Sequence, residues 1–139
     1  MSSLKLEVGS MFAEKYRIIE PLSEGGMGAL YVVENVFLTK TLALKLMHPN
    51  LAGDETLRRR FLTEARIAAK IKNGHIVDVQ DVGIDQTTNI PWMAMELLEG
   101  EDLKLRIRQG LPSLETAYEI LRQVFIALEA AHQLSLIHI

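Results

Sequence analysis

The chain has 139 residues, of which 48% are hydrophobic and 24% charged, with a formal net charge of −3. This composition is typical of a globular domain, and the acidic balance argues against bulk nucleic-acid binding. Because cysteine is absent, a disulfide framework and a thiolate metal site are excluded. No signal peptide is evident, and the apolar runs fall short of the roughly 20 residues that a membrane span requires. We therefore expect a cytoplasmic protein without a membrane segment.

Strand patterns dominate the first half of the chain, after a leader of mixed character over residues 1–13. A first strand is predicted over residues 16–22, ending near Pro21, and a second over residues 29–37. The glycine-rich segment between them predicts a hairpin turn.

The third predicted strand covers residues 41–47. Alternation places its leucines on one face and puts Ala43, Lys45 and Met47 on the other. A lysine on so apolar a strand has two explanations, a charge at a sheet edge that faces water or a cation that reaches beneath the glycine turn towards phosphates. The strand pattern alone leaves both open.

Residues 54–72 form the clearest predicted helix of the first half, with an apolar stripe that includes Phe61, Ala65 and Ala68. Glu64 lies on this stripe, where a carboxylate is costly unless it meets a cation or hydrogen-bond donors. Lys45 is the natural partner, and the alternative is that Glu64 lies at the margin of the stripe and reaches solvent. The arginines at 58–60 point around the helix and indicate a solvated face.

Two more strands are predicted over residues 77–84 and 90–98, joined by a polar turn. Five strands with one inserted helix make a small α+β unit. Beyond Gly100 the pattern is helical, with a short helix over residues 101–109 and a long one that begins after Ser113 as its N-cap.

The long helix carries an apolar band too broad to be covered by the chain that remains. Its members are Leu114, Ala117, Ile120, Leu121, Val124, Phe125, Ala127, Leu128 and Ala131. The uncovered band predicts self-association through residues 113–133.

The glycine turn fits neither of two common nucleotide-binding motifs. In a dinucleotide-binding fold the glycines open a helix, whereas Gly28 leads into a strand pattern. A Walker-type loop would end in Gly-Lys-Ser or Gly-Lys-Thr, which is absent here.

Five motifs together resemble the protein kinase family, specifically the Hanks-type serine/threonine kinases of bacteria. They are Ser23-Glu24-Gly25-Gly26-Met27-Gly28-Ala29-Leu30-Tyr31 for the glycine loop, Leu42-Ala43-Leu44-Lys45 for Val-Ala-Ile-Lys, Arg60-Phe61-Leu62-Thr63-Glu64-Ala65 in helix C, His75-Ile76-Val77 before the fourth strand, and Met95-Glu96-Leu97-Leu98-Glu99-Gly100 at the hinge. The resemblance covers the chain from about Tyr16 onward. It implies a kinase N-lobe, with a five-stranded antiparallel sheet and helix C, over residues 14–98. Residues 99–139 would then hold the end of the hinge and the first two helices of the C-lobe.

The resemblance also implies an ATP site. Lys45 would pair with the α- and β-phosphates and Glu64 would hold it in place, as the two catalytic residues. The backbone amides of Gly25, Gly26 and Gly28 would approach phosphate oxygens, and Ala43 would cover the adenine. The remaining nucleotide contacts implied are Leu22, Leu30, Met95 as gatekeeper, the backbones of Glu96 and Leu98, and, as a loose match, Asp102 at the ribose. Core packing explains Met95 equally well.

Two departures from the family pattern bear on activity. Ser23 replaces the first loop glycine, and the family's His-Arg-Asp motif is matched only at His138 before the sequence ends at Ile139. The catalytic Asp, the metal-binding Asn and Asp-Phe-Gly do not occur, so we expect this chain alone to be inactive and to contain no metal ligands, although the complete family domain uses Mg²⁺ and a protein substrate. The alternatives are a non-catalytic kinase-like module that binds nucleotide or a partner, and an unrelated α+β binding domain.

Overall fold

The fold is known from a computed structural model that describes residues 5–25 and 28–134. Within these residues, one antiparallel sheet contains six strands in the order β1-β2-β3-β4-β6-β5. The strands are β1 Met11–Phe12, β2 Tyr16–Gly25, β3 Gly28–Asn35, β4 Lys40–Met47, β5 Val79–Ile84 and β6 Pro91–Glu96. The helices are α1 Pro49–Ala52, α2 Glu55–Ala68, α3 Leu103–Arg108 and α4 Leu114–Gln133. The α+β fold class is confirmed, and β1 adds a two-residue strand to the five predicted ones.

The core lies on the face of the sheet that carries Leu42, Leu44 and Leu46, which are at most 2% exposed. Aromatic side chains complete this core: Phe12 and Tyr16 meet the Trp92 ring edge-on, with centroids 5.9 and 5.5 Å apart. The predicted alternation of β4 is therefore correct for its leucines. It is wrong for Met47 at the end of the strand, which is 1% exposed and belongs to the core cluster. The opposite face, which carries Ala43 and Lys45, is left for the site.

Several element boundaries differ from the predictions. The first strand does not end near Pro21 but continues to Gly25, with a register shift between Pro21 and Ser23, the kind of irregularity at which proline is tolerated in a strand. Helix α2 ends at Ala68, and β5 begins at Val79 rather than at residue 77. Phe12, inside the predicted leader, is only 6% exposed and belongs to the core.

Capping side chains define where three helices begin. Asp54 Oδ1 accepts from the Thr56 amide at 2.9 Å at the start of α2, and Ser113 Oγ accepts from the Thr116 amide at 3.2 Å at the start of α4, as predicted. Such caps satisfy amides that have no partner inside the helix. Helix α3 begins in the same way at Asp102.

Helix α4 leaves its apolar band largely uncovered. Tyr118, Leu121 and Phe125 are 69%, 53% and 65% exposed, and Ala131 is the only residue of the helix that is buried. The prediction that little of this chain covers the band agrees with these exposures. Among the described residues, no helix is both long and apolar enough to cross a bilayer.

Candidate nucleotide site

A cavity of about 690 Å³ lies on the face of the sheet opposite the core. This volume is within the range of small-molecule sites, roughly 300–1,000 Å³. Its lining combines both ends of the β2–β3 turn, one face of the sheet, and the segment before β5. The residues are Ser23, Gly25, Gly28, Ala29, Leu30, Lys45, Ala68, Ile76, Val77, Val79, Met93 and Met95.

Lys45 provides the positive charge of this cavity. It lies on β4 opposite Leu30 of β3 and Met93 of β6, in a central strand rather than at a sheet edge. Its side chain is half-buried, and no described residue forms an ion pair or hydrogen bond with it. The explanation of Lys45 as an edge-strand charge is therefore wrong.

The predicted contact between Lys45 and Glu64 is not present. Glu64 instead accepts from Arg60 Nε at 2.9 Å, with 55% of its side chain exposed. The reason is helical geometry, because Glu64 lies about 60° around the helix from Phe61 on one side, while Ala65 lies about 40° on the other. The alternative, that Glu64 lies at the margin of the apolar stripe and reaches solvent, describes this structure.

Gly25 and Gly28, the two ends of the glycine-rich segment, line the cavity and pair with each other across β2 and β3. Gly26 lies outside the described residues. A Cβ on Gly28 would collide with the Leu46 carbonyl oxygen and lie 3.1 Å from its carbon, whereas a Cβ on Gly25 would meet nothing within 4 Å. Gly28 is thus required by the close approach of β3 and β4, a structural reason that the motif alone does not reveal.

The residues expected around the base separate into two groups. Leu30 and Met95 line the cavity, and Ala43, 4% exposed, pairs with Met95 on the same face. Glu96 and Leu98 instead line a neighbouring groove of about 550 Å³ beside α4. Since Ile76 and Val77 border both spaces, the groove and the cavity adjoin.

Two predicted residues lie outside both spaces. Leu22 is 48% exposed on β2, and Asp102 Oδ1 accepts from the Leu105 amide at 2.7 Å as the N-cap of α3. The position of Asp102 at the start of a helical pattern was the signal for this capping role. Neither residue is in the lining of the cavity or the groove.

Sequence reasoning missed part of the lining, most notably Met93 and Ala68. Met93 could have been found from the strand period, because it lies two residues before Met95 and therefore on the same face of β6. Ala68 lies one helical turn after Glu64 and shows where α2 borders the cavity. Ile76 and Val77 belong to an irregular segment, for which periodicity gives no signal.

A second polar cluster lies away from the cavity. Tyr16 donates to Asp81 Oδ2 at 2.7 Å, and Lys15 forms an ion pair with the same oxygen. Burial, followed by the hydrogen bond to Asp81, raises the pKa of Tyr16. Burial also acts to raise the pKa of Asp81, but hydrogen bonds from Lys15 and Tyr16 outweigh it and lower that pKa. This cluster joins β2 to β5.

Comparison with known proteins identifies the family. The family model described as "Protein kinase domain" matches residues 16–139, most of the chain. The chain belongs to the protein kinase family. It is 33% identical over 135 residues to a probable serine/threonine-protein kinase PknB of Lactococcus lactis and 35% identical over 134 residues to PknJ of Mycobacterium tuberculosis. These matches cover 96% of this chain but 21% and 22% of the relatives. They do not favour the alternative of a non-catalytic module.

A solved structure leads to the same assignment. The PknI kinase domain of Mycobacterium tuberculosis superposes with a TM-score of 0.82 at 30% identity. The match covers 94% of this chain and 53% of that domain. The kinase chain described here thus corresponds to the N-terminal part of the domain, as predicted from the motifs.

Proposed function

We propose that this chain forms the ATP-binding part of a serine/threonine protein kinase that transfers the γ-phosphoryl group to protein hydroxyls. The observation that supports this most directly is the Lys45 ammonium, half-buried in a cavity beneath the glycine hairpin and without an anionic partner among the described residues. A half-buried cation without a counter-ion favours binding of an anion. Nucleotide phosphates have the required charge and would lie between Lys45 and the turn.

The adjoining groove gives the other half of the proposed site. The base would lie near the groove, against Leu30, Ala43 and Met95, and its edge would meet the backbone of Glu96 and Leu98. No hydrogen bond to a described residue occupies the Leu98 amide. In this proposal Glu64 contacts Lys45 only after helix α2 rotates. The geometry gives no support for contacts from Leu22 and Asp102.

Mg²⁺ accompanies ATP in the kinase family, but the described lining of the cavity contains no aspartate or glutamate. Likewise, no cluster of three or more metal-binding side chains occurs within residues 5–25 and 28–134. The residues described do not fit a magnesium site, so we assign no step to the metal. We expect weak nucleotide binding, because the contacts to phosphate through a metal are missing.

We do not expect phosphoryl transfer by the 139-residue chain alone. Neither Asp-Phe-Gly nor His-Arg-Asp occurs in its sequence, and these motifs supply the metal ligand and the catalytic base. The protein substrate would be recognised by other parts of the kinase domain. A cytoplasmic location is part of the proposal because the reaction consumes ATP.

Titration with a fluorescent ATP analogue tests the proposed function. We expect weak saturable binding that Lys45→Met abolishes, because the substitution removes the cation and keeps an apolar side chain of similar length. Lys40→Met is the matched control, since Lys40 is exposed on the same strand. Equal binding by the native chain and Lys45→Met would place any nucleotide site elsewhere, and micromolar or tighter binding would contradict the expected weakness.

We also propose that the isolated chain self-associates through α4. The exposed apolar side chains of this helix form a continuous band, and burying such a surface is favourable by about 25 cal/mol per Å². Sedimentation velocity of the native chain and of Phe125→Glu tests this proposal. We expect association in the native chain and a shift towards monomer in the variant, so a native monomer would refute it.

A further inference from the structure

The end of the β5–β6 pairing departs from a regular ladder. One residue beyond the Val79–Met95 pair, the Glu96 amide donates to the Asp78 carbonyl oxygen at 2.9 Å. In a regular hydrogen-bonded antiparallel pair, the opposite residue would return the bond from its own amide to the facing carbonyl. Here the Asp78 amide donates instead to Glu96 Oε1, at 2.9 Å.

The side chain of Glu96 therefore takes the place of its own carbonyl in the ladder. Because the Asp78 amide is used by the carboxylate, it does not occupy the Glu96 carbonyl oxygen. Glu96 is the last residue of β6 and lines the groove beside α4. A carbonyl released from the ladder at this position can accept a hydrogen bond from a ligand.

We infer that the Glu96 carboxylate is a positioning group that keeps the Glu96 carbonyl free to accept from the 6-amino group of adenine. This inference rests on the proposed function. It adds a role for a side chain at the hinge, where the edge of the base would contact only backbone. The Leu98 amide, two residues further on, provides a donor beside this acceptor. Together they match the adjacent donor and acceptor on the edge of adenine.

Lys72 forms an exposed ion pair with Asp78, next to this hydrogen bond. Its Nζ lies 2.9 Å from Asp78 Oδ1, with 73% of the lysine side chain exposed. The hydrogen bond from Lys72 lowers the pKa of Asp78. Exposed ion pairs contribute little, so we assign the main positioning role to Glu96 and expect Lys72→Ala to have a small effect.

The test compares ATP with inosine triphosphate, which has the same phosphates but an oxygen in place of the 6-amino group and a hydrogen on N1. The change at N1 affects the native chain and the variants alike, so the comparison between them reports on the 6-position. Chemical-shift titration of the isotope-labelled chain measures both affinities, even when they are weak. We expect the native chain to prefer ATP and Glu96→Ala to lose this preference by about three- to tenfold, the worth of one hydrogen bond. The affinity for inorganic tripolyphosphate should stay the same, because Lys45 and the glycine turn are unchanged.

Two variants separate this role from a general loss of structure. Glu96→Gln keeps a side-chain oxygen that can accept from the Asp78 amide, so we expect it to recover most of the preference. Glu34→Ala removes another partly exposed carboxylate, which pairs with Arg17 between β2 and β3 and is separated from β6 by β4. This control should leave the ratio of the two affinities at its native value.

A measurement without nucleotide tests the arrangement directly. The scalar coupling across a hydrogen bond between the Asp78 amide nitrogen and the carbonyl carbon of residue 96 should be absent in the native chain and appear in Glu96→Ala. A coupling already present in the native chain, or an unchanged affinity ratio in Glu96→Ala, overturns the inference. If the native chain binds neither nucleotide, the proposed function fails. The scalar coupling still shows whether the Asp78 amide donates to the Glu96 carboxylate or to the Glu96 carbonyl.

Discussion

Gly28 and Gly25 lie at opposite ends of one turn, yet the structure predicts opposite effects when each is replaced by alanine. A Cβ at Gly28 would overlap the Leu46 carbonyl oxygen and lie 3.5 Å from the Met47 Cα. Since the obstacle is backbone in the adjacent strand, no side-chain rotation relieves it, and the β3–β4 ladder must separate locally. Overpacking of this kind costs about 1–3 kcal/mol, and we expect Gly28→Ala to fall near the upper end.

Gly25→Ala is the matched control. Its Cβ would meet no atom within 4 Å, and its φ lies outside the left-handed region. Alanine at such a position restricts the unfolded chain and stabilises by about 0.4–1 kcal/mol. The two variants should therefore differ in unfolding free energy by roughly 3 kcal/mol, which corresponds to roughly 10 °C in Tm for a domain of this size.

Urea denaturation followed by circular dichroism measures the difference. We expect the unfolding midpoint of Gly28→Ala to lie well below that of the native chain and the midpoint of Gly25→Ala at or above it. Coincident midpoints for the two variants would show that β3 and β4 do not approach as described. The explanation of Gly28 by strand contact would then be wrong.

Three further predictions concern stability. Because the pKa of Asp81 is lowered in the fold, its interactions stabilise the protein at pH values above its ordinary pKa of 3.8. This stability is lost as the pH falls through the lower pKa of the folded state. Urea midpoints should therefore fall more steeply below pH 4 in the native chain than in Asp81→Asn. Thr39 holds a φ of +52°, which is unfavourable for a β-branched residue. Thr39→Gly should therefore raise the free energy of unfolding by up to about 1 kcal/mol, whereas Thr41→Gly within β4 should lower it. Asn35 Oδ1 accepts from the Phe37 and Leu38 amides at 3.1 and 3.2 Å, so Asn35→Ala should cost about 1–3 kcal/mol, and an unchanged midpoint would contradict that role.

The strand pattern of the sequence was sufficient to predict the sheet because side chains alternate between the core face and the cavity face along β6 and most of β4. Leu42, Leu44 and Ala94 face the core, while Lys45 and Met95 face the cavity. A period of two is readable whenever the two faces differ in this way. The short β1 was missed because a two-residue strand has no period, and its pairing depends on the contact of Phe12 with the core.

Side-chain partners could not be read in the same way. A helical period places Glu64 only to within the width of the apolar stripe, and a residue at the margin can face either solvent or the sheet. The competing partner, Arg60, lies one turn earlier on the same helix, at a spacing that favours an ion pair in any helix. The hinge gave a similar difficulty, since nothing in Met-Glu-Leu-Leu predicts that Glu96 bonds to the Asp78 amide.

The position of Glu64 is compatible with the proposed role of Lys45 once the energies are compared. The Arg60–Glu64 pair is exposed, with relative exposures of 73% and 55%, and pairs of this kind contribute about 0.3–0.5 kcal/mol. Lys45 is half-buried, and an anion near it is worth more because solvent screens it less. Either Glu64 or a phosphate can supply that anion. The weak pair at the helix surface therefore does not prevent a rotation of α2. Because Lys45 would bind Glu64 more strongly than Arg60 does, the proposed contact between Glu64 and Lys45 is energetically favourable.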